Sequence, residues 1–285
     1  MPYVCLTFLF FQKIEQTMTK QQSLRRFAAL PLLWILLCSH EFWMAPARYR
    51  VAPGESVRVA LWVGENFEGE PWEAGSSRVA RLADRSGGRE QNLLGLLKND
   101  RLDSLFVPFE RAGTHPLVLA TTFKFIELEA EKFNAYLEED GLDVAQQTRQ
   151  QRGETQKPGR ERYCRNAKTL VQVGDKTTRC PLRRAGLPLE ITPLQNPYRL
   201  APGARIVYEI RFAGKPLAGL KVRHWNKPGL GGNNLVEMKQ SDALGRVEFD
   251  LKAGETLIST VHMRECPDRA AADWESYWGS LTFSR

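Results

Sequence analysis

The sequence is poor in the residues from which metal and catalytic motifs are usually built. Four histidines occur in 285 residues, at His40, His115, His224 and His262, and no two are spaced as His-x-His or His-x-x-x-His. The five cysteines make no Cys-x-x-Cys pair. Short ligand spacings of those kinds mark zinc fingers and zinc proteases, so neither is encoded locally. There is no Gly-x-Ser-x-Gly nucleophile elbow. The glycine stretch Gly229-Leu230-Gly231-Gly232 lacks the lysine and the strand–helix setting of a phosphate loop, and reads as a hairpin loop. Nothing asks for hydrolase or transferase chemistry, and the expectation is a protein that is not an enzyme. Single-sign charge blocks are missing too. The formal net charge is +7, with both signs mixed along the chain, which gives no reason to expect nucleic acid.

What is present at the start has the build of a secretory leader. Met18 opens a segment with Lys20, Arg25 and Arg26, an apolar core Phe27 to Leu37, and the small residues Cys38 and Ser39. A basic head, an apolar run of about 7–15 residues and a small-residue exit define a cleavable signal peptide. The run falls short of the roughly 20 apolar residues that span a bilayer. The expected location is periplasmic, with cleavage after Ser39 and no transmembrane span in the mature chain. Lipid attachment at Cys38 is the rival, disfavoured by the bulk of Leu37. Residues 1–39 hold four basic residues and one acid, so the 246 residues from His40 onward carry a net charge of +4.

The mature chain reads as mainly β. Tyr49, Val51, Val57, Val59 and Leu61 alternate with polar residues around the turn Ala52-Pro53-Gly54, a period of two that buries one face. Arg78 to Leu82, Ser104 to Phe109, His115 to Thr122 and Leu170 to Val173 continue as short strands. From Leu187 a second set follows: Ile206 to Phe212, Val222, Val247 to Leu251 and Leu257 to Val261. The hexapeptides Tyr49–Gly54 and Tyr198–Gly203 share Tyr-x-x-x-Pro-Gly. Two immunoglobulin-like β-sandwich domains are therefore expected, over 40–184 and 185–285, after a leader over 1–39. A helical insertion over about 127–162, between strands of the first domain or after it, breaks the pattern. There Ala130, Phe133 and Leu137 recur at helical spacing. Gln146 to Arg162, almost without apolar residues, reads as an exposed loop or ragged helix.

In an exporting compartment Cys164, Cys180 and Cys266 remain, and a Cys164–Cys180 disulfide is a plausible pairing, with Cys266 odd or the true partner of one of them. Phe42, Trp43, Trp62 and Trp72 cluster near one end of the chain, and Trp274, Tyr277 and Trp278 near the other. Core anchors are the favoured reading of these rings, with Trp274 and Trp278 on one side of a strand.

Several segments together resemble the DUF4198 family of exported bacterial proteins. They are His40 to Pro46, Val51 to Glu55, Val63 to Phe67, Glu127 to Leu142, Lys168 to Gly174, Val261-His262-Met263 and Ala272 to Trp278. The resemblance implies periplasmic location and, because some relatives are associated with nickel or cobalt uptake systems, a role in metal handling beside a membrane metal-uptake transporter. A mature terminus at His40 would offer its α-amine and imidazole as a nitrogen chelate, which suits Ni(II) or Cu(II). His262 lies in a matching segment and is the best candidate for a further ligand to Ni, Co, Cu or Zn, with Glu41, Asp273 and Glu275 as oxygen donors. His115 is read as structural. Two other functions compete: a structural or adhesive module that binds protein or glycan, and a copper redox enzyme built on a histidine brace.

Intact mass of the protein recovered from periplasm should correspond to a chain that begins at His40. A chain retaining residues 18–39 would overturn the leader, and a lipid-bearing Cys38 start would establish the rival anchor.

Overall fold

The computed structural model describes residues 41–87, 89–97, 103–229 and 234–285. The leader, Cys38 and His40 lie outside the described residues. Those described belong to one compact unit spanning Ser39–Arg285. The described residues are mainly β, with two α-helices and sandwich-like sheets.

The predicted alternation settles into strands where it was read. Along Glu55–Glu65, Val57, Val59 and Leu61 are buried and Arg58 is exposed. This strand is the centre of a four-stranded sheet. Glu41–Pro46 pairs with one of its edges, and Ser104–Phe109 and Glu68–Pro71 share the other. A second small sheet is centred on Arg205–Phe212, flanked by Leu189–Pro193, Lys215–Pro216 and Arg246–Asp250. The two Tyr-x-x-x-Pro-Gly hexapeptides lead into these two central strands. Gly54 and Gly203 both sit at φ +87°, a left-handed conformation that glycine adopts without penalty. Each donates its N–H at 2.7 Å to the last or following residue of the strand across the turn, Phe109 and Leu251 respectively. The sequence echo is a structural repeat.

Between the small sheets runs a ten-stranded one. Chain before residue 185 supplies Gln91–Asn92, Val79–Asp84, Gly113–Thr121 and Gly159–Val173. Chain after it supplies Trp274–Ser284, Glu255–Glu265, Lys221–Lys227 and Leu235–Gln240. The two fours meet at one parallel seam, residues 161–169 beside 274–282. The boundary expected at 184/185 thus divides two lengths of chain that share a sheet. Arg50–Val51 and Lys124–Leu128 add short pairings along Gly159–Val173.

Successive side chains on a strand point to opposite faces, and the seam strands show which face each cover takes. Ala167, Val171 and Val173 enter the core under the first small sheet, with Phe42, Met44, Val59 and Phe109. Cys164 and Leu170 enter the core under the second, with Ile191, Tyr208, Ile210 and Phe249. The small sheets therefore cover opposite faces of the large one.

The helical insertion is two helices, Ala130–Glu139 and Asp143–Gln151. The first ends in a Schellman motif: Leu142 N–H bonds to Leu137 O at 2.8 Å and Gly141 N–H to Glu138 O at 3.1 Å, with Gly141 at φ +65°. Phe133, Tyr136 and Leu137 pack on Val261, Met263, Trp274 and Trp278, so Trp274 and Trp278 do share a face. Gln146–Arg162, expected as an exposed loop or ragged helix, is the end of the second helix, a largely exposed turn and the start of a strand, and it departs from the expectation at Arg149. Arg149 is buried with its guanidinium bonded to Lys157 O at 2.7 Å and Asn134 Oδ1 at 3.2 Å, over the Phe133 ring. Gly159 then opens the longest strand.

The Cys164–Cys180 disulfide is not formed: Cys164, Cys180 and Cys266 are all free and buried. Cys180 follows Thr178, which bonds to Thr114, and Thr114 pairs with Gln172. Eight residues of strand from 164 to 172, at about 3.3 Å each, put Cys164 some 25 Å from that level. A disulfide needs Cα atoms within about 7 Å.

Gly159 fixes how the first helix seats, since a Cβ there would lie 2.1 Å from Phe133 Cγ. Gly159→Ala should cost about 1–3 kcal/mol through overpacking, read as a lower midpoint of urea unfolding. An unchanged midpoint would show that Phe133 does not seat on this glycine.

Candidate functional site

The N-terminal strand borders both features that stand out chemically, a buried layer of carboxylates and an aromatic cleft. Glu41, its first residue, is buried. Its carboxylate accepts from Ser259 Oγ at 3.1 Å and lies 3.7 Å from Arg223 Nη1. Trp225 Nε1 donates to the same Ser259 hydroxyl at 3.0 Å. Arg223 also reaches Asp140 Oδ1 at 2.9 Å and Glu139 O at 3.0 Å, at the end of the first helix. One guanidinium thus serves two carboxylates. Nearby, Glu161 is buried and accepts from Ser276 Oγ and, at 3.3 Å, from Tyr136 OH.

These acids are held far from their ordinary range. Burial pushes Glu41 up to about 7, with Arg223 opposing. Burial also pushes Glu161 up to about 7 against the hydrogen bonds from Ser276 and Tyr136, and the charge of Asp140 adds to the rise. Each is a carboxyl that keeps its proton near neutral pH, because ionisation in an apolar setting lacks enough compensation.

The predicted metal ligands are not brought together. Ser259, which holds Glu41, and His262 are three residues apart on one strand, so their side chains leave opposite faces. His262 packs on the other face, its ring 4.4 Å from that of Phe212. Burial and the neighbouring Arg264 push its pKa down to about 4, so the ring is neutral at pH 7. Asp273 lies four residues along the strand from Tyr277, the partner of His262, a separation of roughly 13 Å. Its carboxylate faces Arg160 at 3.8 Å and Arg269 at 4.0 Å. Glu275 shares the His262 face, but its carboxylate is taken up by Arg162, Arg264 and Tyr277. Burial would raise it, and those hydrogen bonds outweigh burial and hold it below the usual carboxylate range. Among the described residues no three His, Cys, Asp or Glu side chains form a group able to hold a metal ion. His40 lies outside them. His115 is structural: Nδ1 lies 2.6 Å from Asp84 Oδ2, and Nε2 lies 2.8 Å from Arg111 O.

A cleft of about 560 Å³ borders the face of the first small sheet that carries Trp43, Arg58 and Trp62, beside Lys227 and Glu255 of the large sheet. Trp43 and Trp62, directly paired across Glu41–Pro46 and Glu55–Glu65, border it, Trp43 buried and Trp62 partly so. Phe67 stands edge-on to Trp43 with ring centres 6.0 Å apart. Arg58, Glu68, Lys227 and Glu255 bring charges of both signs to the rim. Glu255 is pushed upward by burial, with Lys227 opposing. The hairpin that carries Phe67 is unusually tight. A Cβ on Gly64 would fall 2.0 Å from Glu68 O, and one on Gly69 would fall 2.2 Å from Val63 O. Asn66 and Phe67 themselves sit at φ +54° and +58°. Left-handed backbone at two successive non-glycine residues costs on the order of 1–3 kcal/mol each and is found where a site is being shaped. Asn234 ties the turn down, its amide donating to Asn66 O at 2.6 Å.

Reading the rings as core anchors holds for Phe42 and Trp72, which pack edge to face 5.1 Å apart, and for Trp274 and Trp278. It holds for Trp43 too, which is buried with Trp225 and Leu257, while Trp62 is partly buried beside them; both also border the cleft. Sequence reasoning missed Phe67, Arg223, Asp140 and Glu161. Only the Asn66-Phe67 turn between two glycines carried a local signal.

The architecture defines a sandwich-like, mainly β protein, and no helix among the described residues is long and apolar enough to cross a membrane. The chain belongs to the DUF4198 family: the model of that family, described as a domain of unknown function, matches residues 37–264. No curated protein matches the chain. Among solved structures, trypsin-activated alpha-2-macroglobulin from Escherichia coli is 12% identical with a TM-score of 0.21, over 85% of this chain and 16% of that one. The elastase-activated form of the Escherichia coli protein gives 12% identity and a TM-score of 0.20, over 84% and 21% of the two chains. Three N-terminal domains of the outer capsid protein Hoc of bacteriophage RB49 give 8% and 0.18, over 85% and 59%. This chain therefore spans only a small part of the Escherichia coli proteins, and similarity at this level carries no argument.

The raised carboxyls make stability depend on pH. A carboxyl whose folded pKa is raised leaves the fold unpenalised below about 4.5. It costs stability progressively as pH climbs to about 7, by at most roughly 3 kcal/mol per group. Glu161→Gln should therefore gain melting temperature over the native protein as pH rises from 4.5 to 7, and hold that gain at pH 8. Parallel melting curves at all pH values would show that Glu161 ionises in its ordinary range.

Proposed function

We propose that this is an exported binding protein that holds a saccharide unit in the cleft formed by Trp43, Trp62 and Phe67. The observation that carries the reading is the lining: aromatic rings with both signs of charge at the rim, in a cavity of about 560 Å³. A pyranose ring has apolar C–H faces that stack on aromatic side chains, and hydroxyls that bond to carboxylate, ammonium and guanidinium groups. Pockets of this size that combine an apolar floor with a few polar groups are typical small-ligand sites. The strained Asn66-Phe67 turn and its tie to Asn234 support a preorganised wall. Export rests on the leader pattern. The Tyr-x-x-x-Pro-Gly repeat and the four-strand contribution of each half support reading the halves as two immunoglobulin-like sandwiches fused at their edges.

Transition-metal handling beside an uptake transporter, which the family resemblance implies, draws nothing from His262, Glu41 and Asp273, which lie apart. It rests on His40.

Calorimetric and tryptophan-fluorescence titration of the processed protein against a panel of mono- and oligosaccharides tests the reading. At least one sugar should bind, be recovered unchanged, and bind about ten-fold or more weakly to Trp62→Ala, the loss expected of a central aromatic contact. A panel without binders, or a Trp62→Ala protein that binds equally well, refutes it. Tight one-to-one binding of Ni(II) or Cu(II) that disappears when one residue is added before His40 would instead establish the metal reading.

A further inference from the structure

Among the described residues, the large sheet ends, on the side contributed by the second half, in the strand Leu235–Gln240, which pairs with Lys221–Lys227 on one edge only. Soluble proteins protect such edges with short strands, bulges, prolines or inward charges, because an open edge is a template for another strand. This edge has none of those bulges or prolines. Leu235, Val236 and Met238 are 47%, 45% and 59% exposed, three of eight large apolar residues exposed among those described. Three on one six-residue strand is a concentration of apolar surface beside a strand edge that no other described strand pairs.

The charges on the strand select what fits there. When an edge strand pairs antiparallel with a second copy of itself, residues of the same parity must face one another, since the outward N–H and C=O groups alternate along the strand. Centring the twofold on Glu237 or Lys239 would set like charges directly opposite, which destabilises the pairing. Centring it on Val236 leaves the C-terminal half of the strand beyond the partner. Centring it on Met238 sets Glu237 opposite Lys239 twice, Val236 opposite Gln240 twice, and Met238 against its own copy. Both charged side chains retain bonding capacity. Glu237 already pairs with Lys252 but has a second oxygen. Lys239 donates to Glu248 O at 2.7 Å and has further ammonium protons.

We infer that two copies of this chain associate edge to edge through Leu235–Gln240, in antiparallel register about Met238, to make a continuous twenty-stranded sheet. The contact is isologous, with the same patch on both copies, as a closed dimer requires.

Sedimentation equilibrium of the processed protein over micromolar concentrations tests this. The native chain should be a dimer. Glu237→Lys and Lys239→Glu, each of which turns two attractions into two repulsions, should each weaken dimerisation about ten-fold or more. The double variant Glu237→Lys/Lys239→Glu should return to within about three-fold of native. Circular dichroism checks that each variant folds, and amide exchange should show Leu235–Gln240 protected in the dimer and open in the single variants. A native protein that stays monomeric at 100 micromolar, about the concentration where weak dimers still register, overturns the inference. A double variant no better than the singles overturns it as well.

Discussion

The parallel pairing of residues 161–169 with 274–282 is the constraint on which the rest of the molecule depends. Parallel strands are stable only when both faces are covered, and here the covers come from opposite ends of the chain. On one face Thr282 Oγ1 donates to Met44 O at 2.7 Å and touches Thr169 Oγ1 at 2.8 Å, which seats the N-terminal strand. On the other, Gly279 leaves room for Leu189, whose side chain would lie 3.1 Å from any Cβ there. Lys168, fully buried on the seam, bonds to Glu190 at 2.7 Å, and Glu190 accepts from Ala185 and Gly186 N–H. Burial drives the lysine pKa down, and the glutamate opposes that fall. Such a pair adds little net stability over apolar packing, yet loss of one partner strands a buried charge at about 3–5 kcal/mol. Its contribution is register. It ties the first strand of the second half to the seam strand of the first.

Strands and turns were legible in the sequence because their signals are local. Val57, Val59 and Leu61 alternate, and Pro-Gly at 53–54 and 202–203 turns the chain in the same way twice. The seam was not legible, since both of its strands are buried on two faces and so lack alternation. Lys168, Glu190, Arg165 and Glu275 look like surface residues in a string of letters. Arg149 misled in the same manner: a polar stretch reads as solvent-exposed until backbone carbonyls are found around the guanidinium. The disulfide expectation failed for a metric reason, since a sequence separation of sixteen between Cys164 and Cys180 takes no account of a straight strand between them.

At the candidate sites, Glu41, Trp43 and Trp62 were singled out by position and residue type, but the role of Glu41 differs from the one expected. Glu41 shares Arg223 with Asp140, while Trp43, two residues on and so on the same face of the strand, packs buried against Trp225 and Leu257 with Trp62 beside it. Alternation along Glu41–Pro46 explains part of this. Phe42 and Met44 enter the core between sheets, while Trp43 goes to the opposite side. One face of a single strand thus carries both the buried Glu41 and the aromatic cluster that borders the cleft.

The position of Trp274–Ser284 has a consequence for how the molecule comes into being. The last strand of the chain is not at the rim of the large sheet but in its middle, between Glu255–Glu265 and Gly159–Val173. Residues that meet there are 113 positions apart, so the loop-closure cost is high and the contact is slow to form. The two halves of the sheet can take shape as the chain emerges, but they stay unjoined until the eleven residues Trp274–Ser284 arrive. Until then two long inner edges are open. The molecule therefore stays unlatched, whatever else has folded, until that one central strand is in place.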